Sequence, residues 1–294
     1  MECRLCPRMC GAERSEYEGR GVCRMGTLPR LARCAPHYDE EPCISGKTGT
    51  GAVFFSGCTL KCAFCQNWSV SHGGFGETVS VSRLREIYFE LIDKGVTSVS
   101  LISGTQFIPA VIESLKGGLP VPVVWNSSGY ERVESLKMLE GLVDVYLPDF
   151  KYMDPLPAKR LSGAEDYPEV ALKAIEEMLR QTGPAVYGED GLMKRGTLIR
   201  HLVLPNHVDN TLMVLRRIKW DFEGAPVSLM SQYVPMGDAA KHPDISRRLT
   251  KEEYDRAAEL FDRLDLEGYT QEPDSAQSAY TPMFDLTGVK KEAK

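Results

Sequence analysis

Nine cysteines stand at positions 3, 6, 10, 23, 34, 43, 58, 62 and 65, and the 229 residues that follow contain none. An odd number cannot all pair, and a disulfide framework would spread its cysteines through the fold. Such crowding points instead to metal ligation in a reducing compartment. The tightest group is Cys58, Cys62 and Cys65, spaced C-x3-C-x2-C within Gly57-Cys58-Thr59-Leu60-Lys61-Cys62-Ala63-Phe64-Cys65-Gln66-Asn67-Trp68. Three thiolates in one short loop reach three corners of a cubane iron–sulfur cluster and leave one iron without a protein ligand. An open coordination position separates a catalytic metal centre from a closed structural one. A zinc loop borrowing a fourth ligand is the plainer alternative, and this is not a usual zinc spacing.

At 294 residues, 43% hydrophobic and 26% charged, the chain can bury one sizeable core, or a core plus a small appendage. Its net charge of -6 argues against nucleic acid as a partner. Met1-Glu2-Cys3-Arg4-Leu5-Cys6 lacks the apolar run of a signal peptide. No stretch approaches the ~18 apolar residues of a membrane span. The expected setting is therefore the cytoplasm, away from membranes.

Residues 1–50 are rich in Cys, Gly and Pro, and read as a cysteine-rich, metal-binding extension. Residues 51–294 read as the catalytic unit. Within it, β-prone runs at Ala52–Ser56, Val99–Ser103, Val121–Asn126, Val143–Leu147, Leu198–Leu204 and Val227–Ser231 alternate with helical patterns. Several runs are almost continuously apolar, as parallel strands covered on both faces are. Helices are expected over Ser82–Lys94, with Leu84, Ile87, Tyr88 and Leu91 on one face, and over Tyr167–Thr182. Another begins at the capping box of Thr250 and Glu253. Residues 184–196 are polar and read as a loop. Six βα units fit an α/β fold of the partial (β/α)6 TIM-like barrel kind, and a doubly wound open sheet fits the count nearly as well.

In either architecture, functional groups belong at the carboxyl ends of the strands. Ser103-Gly104-Thr105 follow the second run, Asn126-Ser127-Ser128 the third, and Asp149-Phe150-Lys151 the fourth. Arg200, His201 and Asn206 accompany the fifth run, and Gln232 and Tyr233 the sixth. Asp149 and Lys151 share one side of the chain. Each group also has an ordinary reading: a turn for Ser-Gly-Thr, a surface ion pair for Asp149 and Lys151, a hydrogen-bonded core histidine for His201.

With Phe64 before its third cysteine, the motif resembles the signature of the radical S-adenosylmethionine (radical SAM) superfamily. It is most similar to the pyruvate formate-lyase activating-enzyme-like branch. The stretches that carry this are Phe54-Phe55-Ser56-Gly57-Cys58 through Trp68, Asn126-Ser127-Ser128-Gly129-Tyr130, Asp149-Phe150-Lys151 and Arg200-His201-Leu202-Val203-Leu204-Pro205. The resemblance covers roughly 51–270. It implies that Cys58, Cys62 and Cys65 hold a 4Fe–4S cluster and that S-adenosylmethionine (AdoMet) fills the open iron. One electron would then release a 5′-deoxyadenosyl radical that abstracts hydrogen from a substrate. It further implies Ser103, Gly104 and Thr105 at the AdoMet amine, and Asn126, Ser127 and Ser128 at its ribose and methionyl group. Lys151, beside Asp149, would meet the AdoMet carboxylate, with Phe64 and His201 completing the cofactor contacts. An electron donor such as flavodoxin or ferredoxin is implied, as is one candidate substrate, a glycine of a partner glycyl radical enzyme. A different class would be a passive iron–sulfur or zinc protein that carries electrons or scaffolds a partner. Such a protein has no need of polar groups at four further strand ends.

Cys3, Cys6, Cys10 and Cys23 can supply four thiolates to one metal. Structural zinc and a second cluster both fit, and the irregular spacing does not decide between them. Without a ligand these thiols would be an oxidation liability. Cys34 and Cys43 have no assigned mechanistic role, although Cys43 lies in Glu40-Glu41-Pro42-Cys43-Ile44-Ser45-Gly46, which also resembles the branch, and is a candidate for lining the site.

Overall fold

The computed structural model describes residues 2–271 and 282–291. Six strands, Thr50–Phe55, Val99–Ile102, Val123–Ser127, Val145–Pro148, Ile199–Leu202 and Val227–Met230, occupy the six expected runs. The first four pair in parallel in chain order. Met193–Thr197 pairs in parallel with Val145–Pro148 and leads across Leu198 into Ile199–Leu202. A parallel bridge between Asp149 and Arg200 continues that seam. Ile199–Leu202, Val227–Met230 and a short strand Gly268–Thr270 complete the parallel order. The result is an α/β partial barrel whose strand ends converge on one mouth.

Helices cover the outer face for local reasons. Val81–Asp93 starts where Ser80 Oγ accepts from the Arg83 amide, and it buries Leu84, Ile87, Tyr88 and Leu91. Tyr167–Thr182 has Pro168 in its first turn, a position that needs no amide donor, and Gly183 just past its end. Lys251–Arg263 opens on the reciprocal Thr250/Glu253 capping box and buries Tyr254, Ala257, Leu260 and Phe261. No helix among the described residues is long and apolar enough to cross a membrane.

Two segments differ from their expected form. Arg30–His37, within the expected extension, is a strand antiparallel to Thr50–Phe55, with Cys34 opposite Val53 and Ala35 opposite Ala52. A bulge between Leu31 and Arg33 breaks its alternation, which is why no period of two marks it in the sequence. Residues 184–196 contain an antiparallel pair, Val186–Tyr187 with Met193–Thr197, closed around Gly191. Their polar character arises because Lys194 and Arg195 face outward while Met193, Gly196 and Thr197 are buried.

Cys34 and Cys43 are core residues. Cys34 is 1% exposed among Leu31, Val53 and Val289. Cys43 and Ile44, on the short helix Pro42–Ser45, pack against Val124, Val145, Leu147 and Leu198, the barrel-facing residues beneath the mouth.

Candidate active site

The first barrel strand is buried over its whole length and breaks sharply at Gly57, φ +72°. A Cβ there would stand 2.5 Å from Met25 Cγ and 2.7 Å from the Cys23 carbonyl, so only glycine permits the turn. The loop then folds back on the helix Trp68–Ser71: the Gly57 amide donates to Val70 O (3.0 Å) and the Cys58 amide to Ser71 O (3.2 Å). This brings Cys58, Cys62 and Cys65 to one cavity of about 220 Å³ at the barrel mouth. Ser71 Oγ donates to Cys65 Sγ at 3.2 Å, and the Leu60 amide to Cys58 Sγ at 3.4 Å.

The opposite wall is made of charge. Arg200 donates from Nε to Asp149 Oδ1 (2.9 Å), from Nη1 to Glu40 Oε2 (2.9 Å) and from Nη2 to Asn126 Oδ1 (2.7 Å). Asn126 Nδ2 returns a bond to Glu40 Oε1 at 2.9 Å. Lys151 Nζ donates to Asp149 Oδ2 at 2.7 Å. The charged side chains of this network are 7–16% exposed, so water screens them little. Burial alone would raise Asp149, but Arg200 and then Lys151 outweigh it and hold the carboxyl below its usual range. Burial works against a charged Lys151, and Asp149 reverses it, so the amine stays protonated. Glu41, 3.8 Å from Arg200, is pushed up to about 7 by burial, against the pull of that arginine.

Most residues expected at the site are on the cavity wall: Phe64, Ser103, Asn126, Ser127, Ser128, Asp149 and Lys151, together with the three cysteines. Gly104, Thr105 and His201 are not among the residues lining it, nor is Cys43, which packs in the core beneath. Gly104 packs on Trp125, and the Thr105 hydroxyl donates to buried Glu131 (2.9 Å), which also accepts from Trp125 Nε1 and Ser127 Oγ. His201 is 1% exposed, with Nδ1 2.6 Å from Phe150 O and Nε2 2.9 Å from Thr211 Oγ1. Burial depresses its pKa to about 4, so it is a neutral core histidine. Strand alternation explains the placement: Arg200 and Leu202 face the cavity, so His201 faces away. Gln232 reaches the cavity, whereas Tyr233 packs on Phe64 and donates to Ile245 O.

Three residues were not singled out from the sequence. Glu40 enters the wall from the loop after Arg30–His37. Gln106 Nε2 donates to the carbonyls of Ser56 (2.9 Å), Gly57 (2.6 Å) and Ser103 (2.9 Å), tying the cysteine loop to the neighbouring strand end. Tyr167 Oη donates to Ser128 O and Asp149 O and accepts from the Lys151 amide, fixing two strand ends at once. The first stands in the stretch Glu40–Gly46 that resembles the branch, but residue type alone does not set it apart from Glu41.

Among the described residues no three His, Cys, Asp or Glu side chains are already closed around a metal position. The match to a cluster therefore rests on the donor set and its cavity. Three free thiols, which would hold three irons, line the same cavity as Lys151 and the polar wall. Burial pushes the Cys62 thiol up to about 12 and also raises Cys65, so these thiols give up protons only to a strong Lewis acid. Lys151 opposes that rise at Cys62.

The family model described as the radical SAM superfamily matches residues 52–217. The chain is 32% identical over 276 residues, 90% of its own length and 75% of the relative's, to the uncharacterized protein MJ0674 of Methanocaldococcus jannaschii. It is 28% identical over 142 residues to the anaerobic ribonucleoside-triphosphate reductase-activating protein of Enterobacteria phage T4, covering 44% of this chain and 90% of that one. Among solved structures it resembles a radical SAM methyltransferase from Sphaerobacter thermophilus, with a TM-score of 0.53 and 14% identity over 76% of this chain, a likeness of fold. The chain spans 47% and 66% of the first two solved structures it matches.

Proposed function

The chain belongs to the radical SAM superfamily, and on that premise we propose that it is an activating-enzyme-like member that generates a radical on a partner protein. A bound 4Fe–4S cluster would supply the one electron that splits the C5′–S bond of AdoMet into methionine and a 5′-deoxyadenosyl radical able to take a hydrogen atom from the substrate. Cys58, Cys62 and Cys65 would hold three irons. Lys151 keeps its charge inside the cavity and has two N–H bonds beyond the one given to Asp149, enough to meet the AdoMet carboxylate. Ser103 and Ser128, on the wall between them, offer neutral acceptors to the amine and ribose. Phe64 and Leu60 bring apolar surface to the same wall, which limits water around a reactive carbon radical.

The observation that carries the radical chemistry is the convergence of the three thiols and the Asp149–Lys151–Arg200 network on one cavity. The choice of branch is supported by the likeness to the phage T4 activating protein. A backbone glycine of a glycyl radical enzyme is then the proposed substrate, with a low-potential donor such as flavodoxin or ferredoxin as the electron source, in the cytoplasm.

The test is 5′-deoxyadenosine formation by anaerobically reconstituted protein given AdoMet and dithionite. We expect formation that disappears in Cys62→Ser together with the cluster iron. Equal formation and iron content in that variant would refute the assignment. Adding a purified glycyl radical enzyme should yield a backbone glycyl signal by electron paramagnetic resonance. Cleavage without that signal across such partners would leave the chemistry standing and remove the substrate class.

A further inference from the structure

Cys3, Cys6, Cys10 and Cys23 take no part in the cavity; they share one short segment and are not already closed around a metal position. The Cys3 amide donates to Ala12 O at 3.0 Å beside a bridge between Glu2 and Glu13. Arg14 then spans two of the thiols' neighbourhoods, with Nη1 on Cys3 Sγ (3.5 Å) and Nε on Met25 O (3.0 Å), two residues beyond Cys23. The Cys10 sulfur lies so close to Gly21 that a Cβ there would stand 2.8 Å from it. Cys6 is 9% exposed and within electrostatic reach of the other three. The backbone bends sharply around them, with positive φ at Met9 (43°) and Gly11 (61°), either side of Cys10, and at Arg24 (61°), just after Cys23. All four thiols are free.

Residues 2–27 form no helix and no strand ladder, only isolated bridges. With no regular ladder of its own, such a segment gains most from a cross-link between its bends. Four thiols from two stretches provide one if an ion joins them. We propose that Cys3, Cys6, Cys10 and Cys23 bind a single zinc ion, and that this knot holds Arg8 against the cysteine loop of the barrel. Four thiolates around Zn²⁺ make a closed tetrahedral site, structural rather than catalytic. The Cys10 sulfur lies beside Gly21, and none of the four thiols lines the cavity that the barrel thiols share, so the N-terminal set is read as a separate site for one ion. The Arg14 guanidinium offsets the negative charge that four thiolates leave on the complex.

Arg8 lies between Cys6 and Cys10 in the chain. It donates to the carbonyls of Thr59 (2.9 Å), Leu60 (2.9 Å), Ser162 (2.7 Å) and Gly163, and its guanidinium lies over the Tyr130 ring at 5.2 Å. Thr59 and Leu60 are residues between Cys58 and Cys62. Zinc would thus fix the loop that carries the catalytic ligands without touching the reaction, and the inference stands apart from the proposed activity.

The test is metal analysis of the Cys58→Ser/Cys62→Ser/Cys65→Ser protein, which lacks the barrel site. We expect about one zinc per chain, lost when Cys3→Ser or Cys23→Ser is added. Cobalt in place of zinc should give the visible absorption of a tetrahedral tetrathiolate complex. Iron–sulfur absorption in the triple variant, or zinc retained without Cys23, would overturn the proposal. Should the added variants fail to fold, thiol mapping by mass spectrometry on the triple variant decides. Zinc release must accompany modification of Cys3, Cys6, Cys10 and Cys23, and their modification without zinc release overturns it equally. Arg8→Ala in the otherwise native chain should keep the zinc yet lose barrel iron faster to a chelator, and an unchanged rate would remove the clamp.

Discussion

Arg200 gives three of its five N–H bonds to Asp149, Glu40 and Asn126 at 2.7–2.9 Å, and with Glu41 at 3.8 Å its charge is compensated by the protein itself. Lys151 differs: it sits on the same carboxylate, through the oxygen Arg200 leaves free, and retains two donors. Deleting its amine leaves Asp149 paired with Arg200, so the wall survives and the loss falls on the ligand. A charge-assisted hydrogen bond in such a site contributes about 1.5–3 kcal/mol. Lys151→Ala should therefore weaken AdoMet binding roughly 10- to 150-fold, with the cluster iron retained. An AdoMet titration that finds the same dissociation constant would reduce Lys151 to an internal partner of Asp149. Lys151 and Asp149 were legible from their spacing at a strand end. His201 was not separable from Arg200 by residue type alone, since either could serve a polar site and only pleat parity ranks them.

The cysteine loop is one element whose shape depends on another. Gln106, on the turn after Val99–Ile102, gives its amide to three carbonyls at the junction of the loop and the strand ends, and it is 2% exposed. Removing a donor from buried carbonyls costs about 1–3 kcal/mol. Gln106→Ala should lower the urea midpoint by that order and impair iron retention, although Gln106 touches no ligand. Gln106→Glu keeps the size but sets an acceptor against acceptors, and should be worse. Equal stability of all three proteins would show that the loop is self-supporting. The parallel strands were readable because helices cover one face and the barrel the other, leaving continuous apolar runs. Arg30–His37 and Met193–Thr197 were not. A bulge scrambles the alternation of Arg30–His37, and outward-facing Lys194 and Arg195 give Met193–Thr197 the polarity of a loop. Glu40 stands in a stretch that resembles the branch, yet nothing in residue type shows that it, and not Glu41 beside it, is the carboxylate that meets Arg200 at 2.9 Å.

Across the whole molecule, two buried groups set opposite pH dependences of stability. His201 is depressed from 6.5 to about 4 by burial, so its contribution is present above 6.5 and is lost as pH falls toward 4. Glu41 is raised from 4.5 to about 7, so its contribution is complete below 4.5 and is lost as pH rises toward 7. At ~1.4 kcal/mol per pH unit, either group alone would move global stability by about 3 kcal/mol across its window. Their windows overlap between 4.5 and 6.5, where the two slopes oppose one another on top of the slopes set by other shifted groups, among them His37 and His72, lowered by burial, and Glu131, raised by it. His201→Asn should tilt the profile relative to the native protein, so that the midpoint falls more, or climbs less, as pH rises. Glu41→Gln should tilt it the other way. The slopes rather than the midpoints carry the comparison, because each substitution also disturbs packing. A series of urea titrations from pH 4.5 to 6.5 checks this, and parallel profiles for the three proteins would mean that neither group titrates on unfolding.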